Sequence, residues 1–244
     1  LQRAFLLSGI ADQDIIQDSI FFGNLYRKCL EFKCNVVLTG TNYSTEGVRE
    51  PFEWGGYYAG DKSLITSIMK TYNDSRIPRD LKILDVLYYR IWLPLFFGLK
   101  RLDVLNYVDY NKKQAEEILM KEYGWIPFKH KHHESRFTRW YEDVYLVKGF
   151  GIDKRKAHFS SLICSGQMTR EEAIERLKSP ELDQKTQQEE TRFVADKLGF
   201  TKEELDRLIT ADKKVFSDFK NKKWIIDMGT KILRLLGSEK RNFS

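Results

Sequence analysis

Apolar positions recur at helical spacing over much of the chain, and short polar clusters punctuate them. In residues 18–33, Ile20, Phe21, Leu25, Cys29 and Leu30 fall mostly on one helical face, with Asp18 suited to start the helix. Asn35-Val36-Val37-Leu38-Thr39 follows, a short β-rich run bounded by polar residues, which is expected to be a buried parallel strand of an α/β sheet. It ends in a turn of small polar residues, 39–47, at the carboxyl end of a strand, where open α/β sheets bind ligands. Residues 50–60 are rich in Gly and aromatics and read as a packed loop. Residues 61–72 carry Leu64, Ile65, Ile68 and Met69 at i, i+1, i+4 and i+5, a helix with one apolar face.

The most hydrophobic stretch, 84–99, contains Asp85, Arg90 and Pro94 and is shorter than the roughly 20 apolar residues of a membrane span, so a buried helical segment is expected. Helix caps are the sharpest signals further on. Asn111 with Gln114, ahead of Ala115, Ile118, Leu119 and a closing Gly124, marks one helix. Thr169 with Glu172 and Thr201 with Glu204 mark two more, the second with Phe200 and Leu205 spaced for a hydrophobic staple. From about 182 onward the chain reads as a charged helical appendage. In its last segment, 223–236, Trp224, Ile225, Met228, Ile232 and Leu235 form a docking face.

Composition narrows the class. The 244 residues are 42% hydrophobic, enough for a core, and the net charge of +6 is spread among alternating acids and bases rather than one basic block. That favours a locally basic site over a nucleic-acid-coating surface. Three cysteines without metal-type spacing fit a reducing, cytoplasmic setting.

Candidate chemistry concentrates in two places. In the 39–47 turn, Gly40 permits close backbone approach, Thr39, Thr41, Asn42 and Ser44 offer hydrogen bonds, and Glu46 offers a carboxylate to a metal or a ribose hydroxyl. Residues 130–177 hold all four histidines. His130 and His132 alternate as metal ligands would on an extended segment, but Lys129 and Lys131 oppose a cation there, so no metal is assigned. Anion binding and proton transfer suit these residues better. Arg136, Arg139, Lys154, Arg155, Lys156 and Arg170, interleaved with His158, Ser160, Ser161 and Gln167, form a constellation able to neutralise a polyphosphate. There is no nucleophile elbow, Walker loop or dinucleotide fingerprint.

The strings Ile152-Asp153-Lys154-Arg155, His158-Phe159-Ser160-Ser161-Leu162-Ile163 and Ser165-Gly166-Gln167-Met168-Thr169-Arg170-Glu171-Glu172-Ala173 resemble the C-terminal signature of N-acetyl sugar amidotransferases, bacterial enzymes of lipopolysaccharide and flagellar-glycan assembly. His130-Lys131-His132 with Glu134-Ser135-Arg136-Phe137-Thr138-Arg139 is similar to the same family. So are Asp12-Gln13-Asp14-Ile15, Thr39-Gly40 with Asn42, Ser44-Thr45-Glu46, and Glu53-Trp54-Gly55-Gly56-Tyr57-Tyr58.

The resemblance spans about residues 1 to 180. It implies an ATP pyrophosphatase of the PP-loop type, with a Rossmann-like adenine nucleotide α-hydrolase α/β fold, a largely parallel sheet and a helical C-terminal region. In such enzymes the substrate's carbonyl oxygen attacks the α-phosphorus of ATP, with Mg²⁺ and cations holding the phosphates, and ammonia from a glutaminase partner then displaces AMP. The carbonyl is expected to be the acetamido group of a UDP-linked N-acetyl sugar, and the product an acetamidino sugar.

On this reading residues 1–110 form part of the α/β domain, 111–180 a substrate- and phosphate-binding continuation, and 181–244 the helical appendage. Thr39, Gly40, Asn42 and Glu46 are expected to contact the nucleotide, and His132 and His158 to carry protons. His130, Lys131, Glu134, Arg136, Arg139, Arg155, Ser161, Gln167, Arg170, Glu53 and Trp54 are expected at the sugar nucleotide. Neither nucleic acid nor membrane insertion is expected, and a homo-oligomer is compatible. The family's Ser-Gly-Gly-x-Asp-Ser pyrophosphate loop is absent, and the resemblance implies that it lies upstream of Leu1 with any cysteine-based zinc site. Two other readings stay open: a non-catalytic module docking a glutaminase, and a tRNA-modifying PP-loop enzyme.

Overall fold

The computed structural model describes all residues except 59, 73–76, 79–80, 129–133 and 236–244. Two compact units emerge, 1–37 with 55–102 and 212–244, and 38–54 with 103–211. The chain passes between them at 37/38, 54/55, 102/103 and 211/212. Sequence periodicity is local and carries no record of which distant segments share a core. The described residues are predominantly helical, with one two-stranded parallel sheet, β1 (Val36–Thr39) beside β2 (Lys100–Asp103).

In the first unit, α1 (Gln2–Ser8), α2 (Ile15–Glu31) and α4 (Lys62–Tyr72) build a core from Phe5, Ile15, Ile16, Leu64, Ile65, Ile68 and Met69, with Phe219 joining them. The four apolar residues expected on α4 are the four it buries, roughly 6–12 kcal/mol of gross burial energy. Asp61 caps this helix: its Oδ1 accepts from the amides of Ser63 at 2.8 Å and Leu64 at 3.3 Å. The buried Gln13 amide donates to the carbonyls of Phe5 (3.1 Å) and Ile10 (2.9 Å), satisfying the open end of α1. Gly9 ends α1 at φ 68°, and Lys214 N–H donates to its carbonyl at 3.0 Å, which ties the segment after 212 to the start of the chain.

Three expectations shift here. Helix α2 starts at Ile15, with Asp14 rather than Asp18 at its N-cap, and Phe21 is exposed. Strand β1 buries Val37 but exposes Val36 and Leu38, so it is not a strand covered on both faces. The 84–99 stretch forms a π-helix, Tyr88–Phe97, around Pro94, whose missing N–H and bulky ring suit the wider turn. Leu84, Leu93 and Leu99 are buried with Tyr26 and Cys29, but Ile91, Leu95 and Phe96 face outward, so the segment is only half core. Its apolar positions wrap the whole helix, and one flank alone finds a partner.

In the second unit, α6 (Arg136–Trp140), a π-helical turn (Tyr141–Leu146) and α7 (Val147–Phe150) run on end to end and bury Trp140, Tyr141, Val144, Tyr145 and Leu146. Against them packs α10 (Gln184–Leu198), where Trp140 Nε1 donates to Thr191 Oγ1 at 3.1 Å. The expected caps are formed. Asn111 accepts from Gln114 N–H ahead of α5 (Lys112–Tyr123), which Gly124 closes at φ 65°. Both capping boxes are complete, Thr169–Glu172 on α9 (Arg170–Leu177) and Thr201–Glu204 on α11 (Lys202–Thr210), with Phe200 and Leu205 buried as the staple requires. The apolar stripe of α5, however, is uncovered: Ile118 and Leu119 are exposed.

Candidate functional site

Within the second unit the 39–47 turn and the 152–167 signature meet. The turn leads into α3 (Tyr43–Glu46), a single helical turn capped by Asn42, whose Oδ1 accepts from Thr45 N–H at 2.8 Å and Thr45 Oγ1 at 3.1 Å. Its Nδ2 donates back to the Gly40 carbonyl at 3.2 Å. Asn42 is therefore the brace of the turn and lies buried. The start of the turn is held by Thr39 Oγ1, which donates to Asp103 Oδ1.

Helix α8 (Arg155–Cys164) packs along α3, and it and its C-cap Ser165 hold α3 at two points and the chain just after it at a third. His158 Nδ1 lies 3.2 Å from the Thr45 carbonyl. A carbonyl only accepts, so Nδ1 carries a proton, and in the neutral ring the basic lone pair is on Nε2. Ser161 Oγ accepts from Val48 N–H at 3.0 Å and donates to the Ala157 carbonyl at 3.1 Å. Ser165 Oγ donates to the Ser44 carbonyl at 2.8 Å. Beyond the helix, Gln167 grips the start of α5: Oε1 accepts from Lys112 N–H at 2.8 Å, and Nε2 donates to the Tyr110 carbonyl at 3.1 Å.

Most of the small polar residues singled out in sequence thus form the scaffold of one site and spend their hydrogen bonds on backbone. Gly40 differs. It is exposed, and a Cβ built on it would meet nothing within 4 Å. Glu46, at the end of α3, is half-buried, and its charge together with that of Glu116 adds to burial in raising the pKa of Tyr110, burial being the larger cause.

The arginines are engaged elsewhere. Arg136 grips buried Glu190 in a two-pronged pair, Nε to Oε2 at 2.9 Å and Nη2 to Oε1 at 3.0 Å, and stacks on Phe193 at 3.6 Å. Arg139 bonds the same Glu190 Oε1. Arg155 is bound to Asp153 (2.9 Å and 2.7 Å) and to the Ser179 carbonyl at 2.8 Å, and the Asp153 hydrogen bond holds its pKa above the ordinary arginine value. Lys154 sits between Glu50 at 3.4 Å and Glu142 at 3.7 Å.

Arg170 is exposed at the start of α9, and Glu134 is exposed before α6. Glu53 and Trp54 lie on a 3₁₀ turn, Phe52–Trp54, the first exposed and the second half-buried. His130, Lys131 and His132 lie outside the described residues. Among the described residues no group of three His, Cys, Asp or Glu is placed to hold a metal, and no helix is long and apolar enough to cross a membrane. Sequence reasoning missed Asp103, Glu190 and Tyr110. A carboxylate i+64 from its partner leaves no local signal, and Glu190 is buried on α10 beside Thr191, Val194 and Ala195, a charge in need of a cation.

The class of protein follows from residues 134–233, the region that holds Arg136, Arg139, Arg155, His158, Ser161 and Gln167: their likeness points to lipopolysaccharide (LPS) biosynthesis. They match the family model described as LPS biosynthesis protein WbpG-like, C-terminal domain. The match supports the assignment to the N-acetyl sugar amidotransferase family, as a C-terminal part. No curated protein and no solved structure matches the chain.

Proposed function

We propose that this chain is part of an ATP-dependent amidotransferase that converts the acetamido group of a UDP-linked N-acetyl sugar into an acetamidino group for bacterial surface polysaccharide. The supporting observation is the convergence of the Gly40 turn with α8. Both carry strings that resemble the amidotransferase family, and His158, Ser161 and Ser165 bond one to the other. The open side of Gly40 fits close approach of a nucleotide. The triphosphate fits this chain less well: Arg136, Arg139 and Arg155 are already neutralised by Glu190 and Asp153, so charge compensation for pyrophosphate falls to other groups, as it would to a PP-loop. Mg²⁺ would take its ligands mainly from phosphate oxygens and water, which the Glu46 carboxylate at the end of α3 would join.

Bound ATP would supply an AMP leaving group on the acetamido oxygen. The residues of this chain orient and transfer protons. Thr45 fixes the His158 ring through Nδ1, which leaves Nε2 as the basic atom for a proton from attacking ammonia. Ammonia would come from a glutaminase subunit.

The full-length enzyme should release pyrophosphate from ATP only when an N-acetylated UDP-sugar is present, and should form the acetamidino product only when ammonia is supplied as well. Gly40→Val should lower that rate about tenfold or more while leaving the melting temperature unchanged, since its side chain meets only open space in the unliganded fold. Sugar-independent pyrophosphate release, or full activity of the valine variant, would remove the basis for the proposal.

A further inference from the structure

Helix α12 (Lys223–Leu235) is the most sharply two-sided of the described helices, and one of its faces is exposed, with no cover among the described residues. Trp224, Met228, Ile232 and Leu235 stand at i, i+4, i+8 and i+11, a single stripe, and are 65%, 48%, 48% and 87% exposed. Shifted by one residue stand Lys223, Asp227 and Lys231, so charge lies beside the apolar surface. The helix is not a loose tail at its start. The fully buried Asp61 accepts from Lys222 N–H at 2.5 Å, and Lys222 Nζ pairs with Asp85 at 2.7 Å. Ile225 and Ile226 are half-buried, so the inward side of the helix already has partners while the stripe does not.

The charge beside the stripe selects the occupant. Of the lysines here, Lys222 pairs with Asp85 at 2.7 Å and Lys223 with Asp227 at 2.6 Å. Lys220 and Lys231 have no carboxylate partner among the described residues. An apolar partner protein would cover Trp224 and Leu235 but leave these cations unanswered. An anionic lipid surface answers both: the acyl boundary takes the Trp, Met, Ile and Leu side chains, and the headgroup phosphates take the lysines. Trp224 is the aromatic type that prefers this boundary. At 13 residues the helix is about 20 Å long, right for lying in the interface and too short to cross it.

We infer that α12 is an interfacial helix that holds the protein on an anionic membrane surface. It docks reversibly, with the stripe in the headgroup region and the rest of the chain in water. This places the enzyme beside the lipid surface on which glycan assembly proceeds, and it stands or falls separately from the amidotransferase chemistry.

The test is co-sedimentation of the full chain with vesicles of phosphatidylcholine alone and of equimolar phosphatidylcholine and phosphatidylglycerol, at low and high salt. Binding is expected to the anionic vesicles only, to weaken as salt rises, and to shift the Trp224 emission to the blue, a change absent in Trp224→Phe. Lys220→Ala with Lys231→Ala should weaken it about 25-fold, about fivefold per lysine. Met228→Glu with Leu235→Glu should abolish it while leaving the melting temperature and pyrophosphate release intact. Failure to sediment with either vesicle, or equal binding to neutral vesicles that the lysine pair does not alter, overturns the inference. So does a chain that ignores vesicles but dimerises through the stripe, with the dimer lost in Leu235→Glu.

Discussion

Glu190→Gln gives the sharpest test of what the arginines near the start of the WbpG-like domain are for. Glu190 is 3% exposed and receives three charged hydrogen bonds, two from Arg136 and one from Arg139. The amide keeps the shape but replaces one accepting oxygen with a donor aimed at a guanidinium. Removing one partner of a buried ion pair costs about 3–5 kcal/mol. Arg136 is 45% exposed at its side chain and recovers water when released, so the lower part of that range, about 3 kcal/mol, is expected. Arg139 has less access to solvent and is left facing an amide. In thermal unfolding the loss corresponds to roughly 6–12 °C for a chain of this size. A double-mutant cycle with Arg136→Ala should show coupling of about 1–2 kcal/mol, because each single change already breaks the contact. If Glu190→Gln unfolds like the parent while Arg136→Ala raises the KM for the sugar nucleotide, the pair is not structural and Arg136 belongs to the substrate.

Asp61→Ala removes the cap of α4, the acceptor for Tyr57 Oη at 2.8 Å and the anchor of Lys222 N–H; chemical denaturation should show a loss of about 3–5 kcal/mol, and a change under 1 kcal/mol would refute that role. Glu172 and Asp183 accept backbone N–H bonds at helix starts, first from Thr169 and Thr186 respectively, which holds both carboxyl pKa values below their ordinary range. A depressed folded-state pKa stabilises above the unfolded value and the benefit is lost as pH falls through the folded one. Helicity followed by circular dichroism should therefore decline below about pH 4, and less steeply in Glu172→Gln with Asp183→Asn; identical acid limbs would contradict this. Among the thiols, Cys34 and Cys164 are exposed, while burial raises the pKa of Cys29. Iodoacetamide should modify two sites quickly and the third only on unfolding, and three equal rates would be inconsistent with the core.

What the residues disclosed in advance was whatever chemistry closes within a few positions. The caps at Asn111, Thr169 and Thr201 and the buried quartet of α4 are such features, because a side chain that satisfies an amide three residues away needs no knowledge of the fold. Pairings across long separations stayed hidden. Arg136 read as a ligand for anions because its partner is 54 residues away, and Gln167 read as a substrate contact although it spends its amide on backbone 55 and 57 residues distant. The turn and the 152–167 strings, both singled out in the sequence, do meet, but the division between groups that hold the scaffold and groups left to meet a ligand was not legible. The two π-helical segments gave no signal either, since a turn one residue wider needs only a local shift of hydrogen bonds that many sequences accept.

The four passages of the chain between its units also set an order of events at the ribosome. Residues 38–54 and 103–211 complete the second unit, so everything it needs has been synthesised once α11 emerges. The first unit must wait: Phe219 belongs to the core around Phe5, and Lys214 closes on Gly9, more than two hundred residues upstream. Until then α1 and α4 hold part of a core that lacks its last pieces, with apolar surface open to the cell. A chain that has emerged only as far as a point between 211 and 219 would therefore present a finished half and an unfinished one, and the unfinished one is the half that chaperones and proteases would meet.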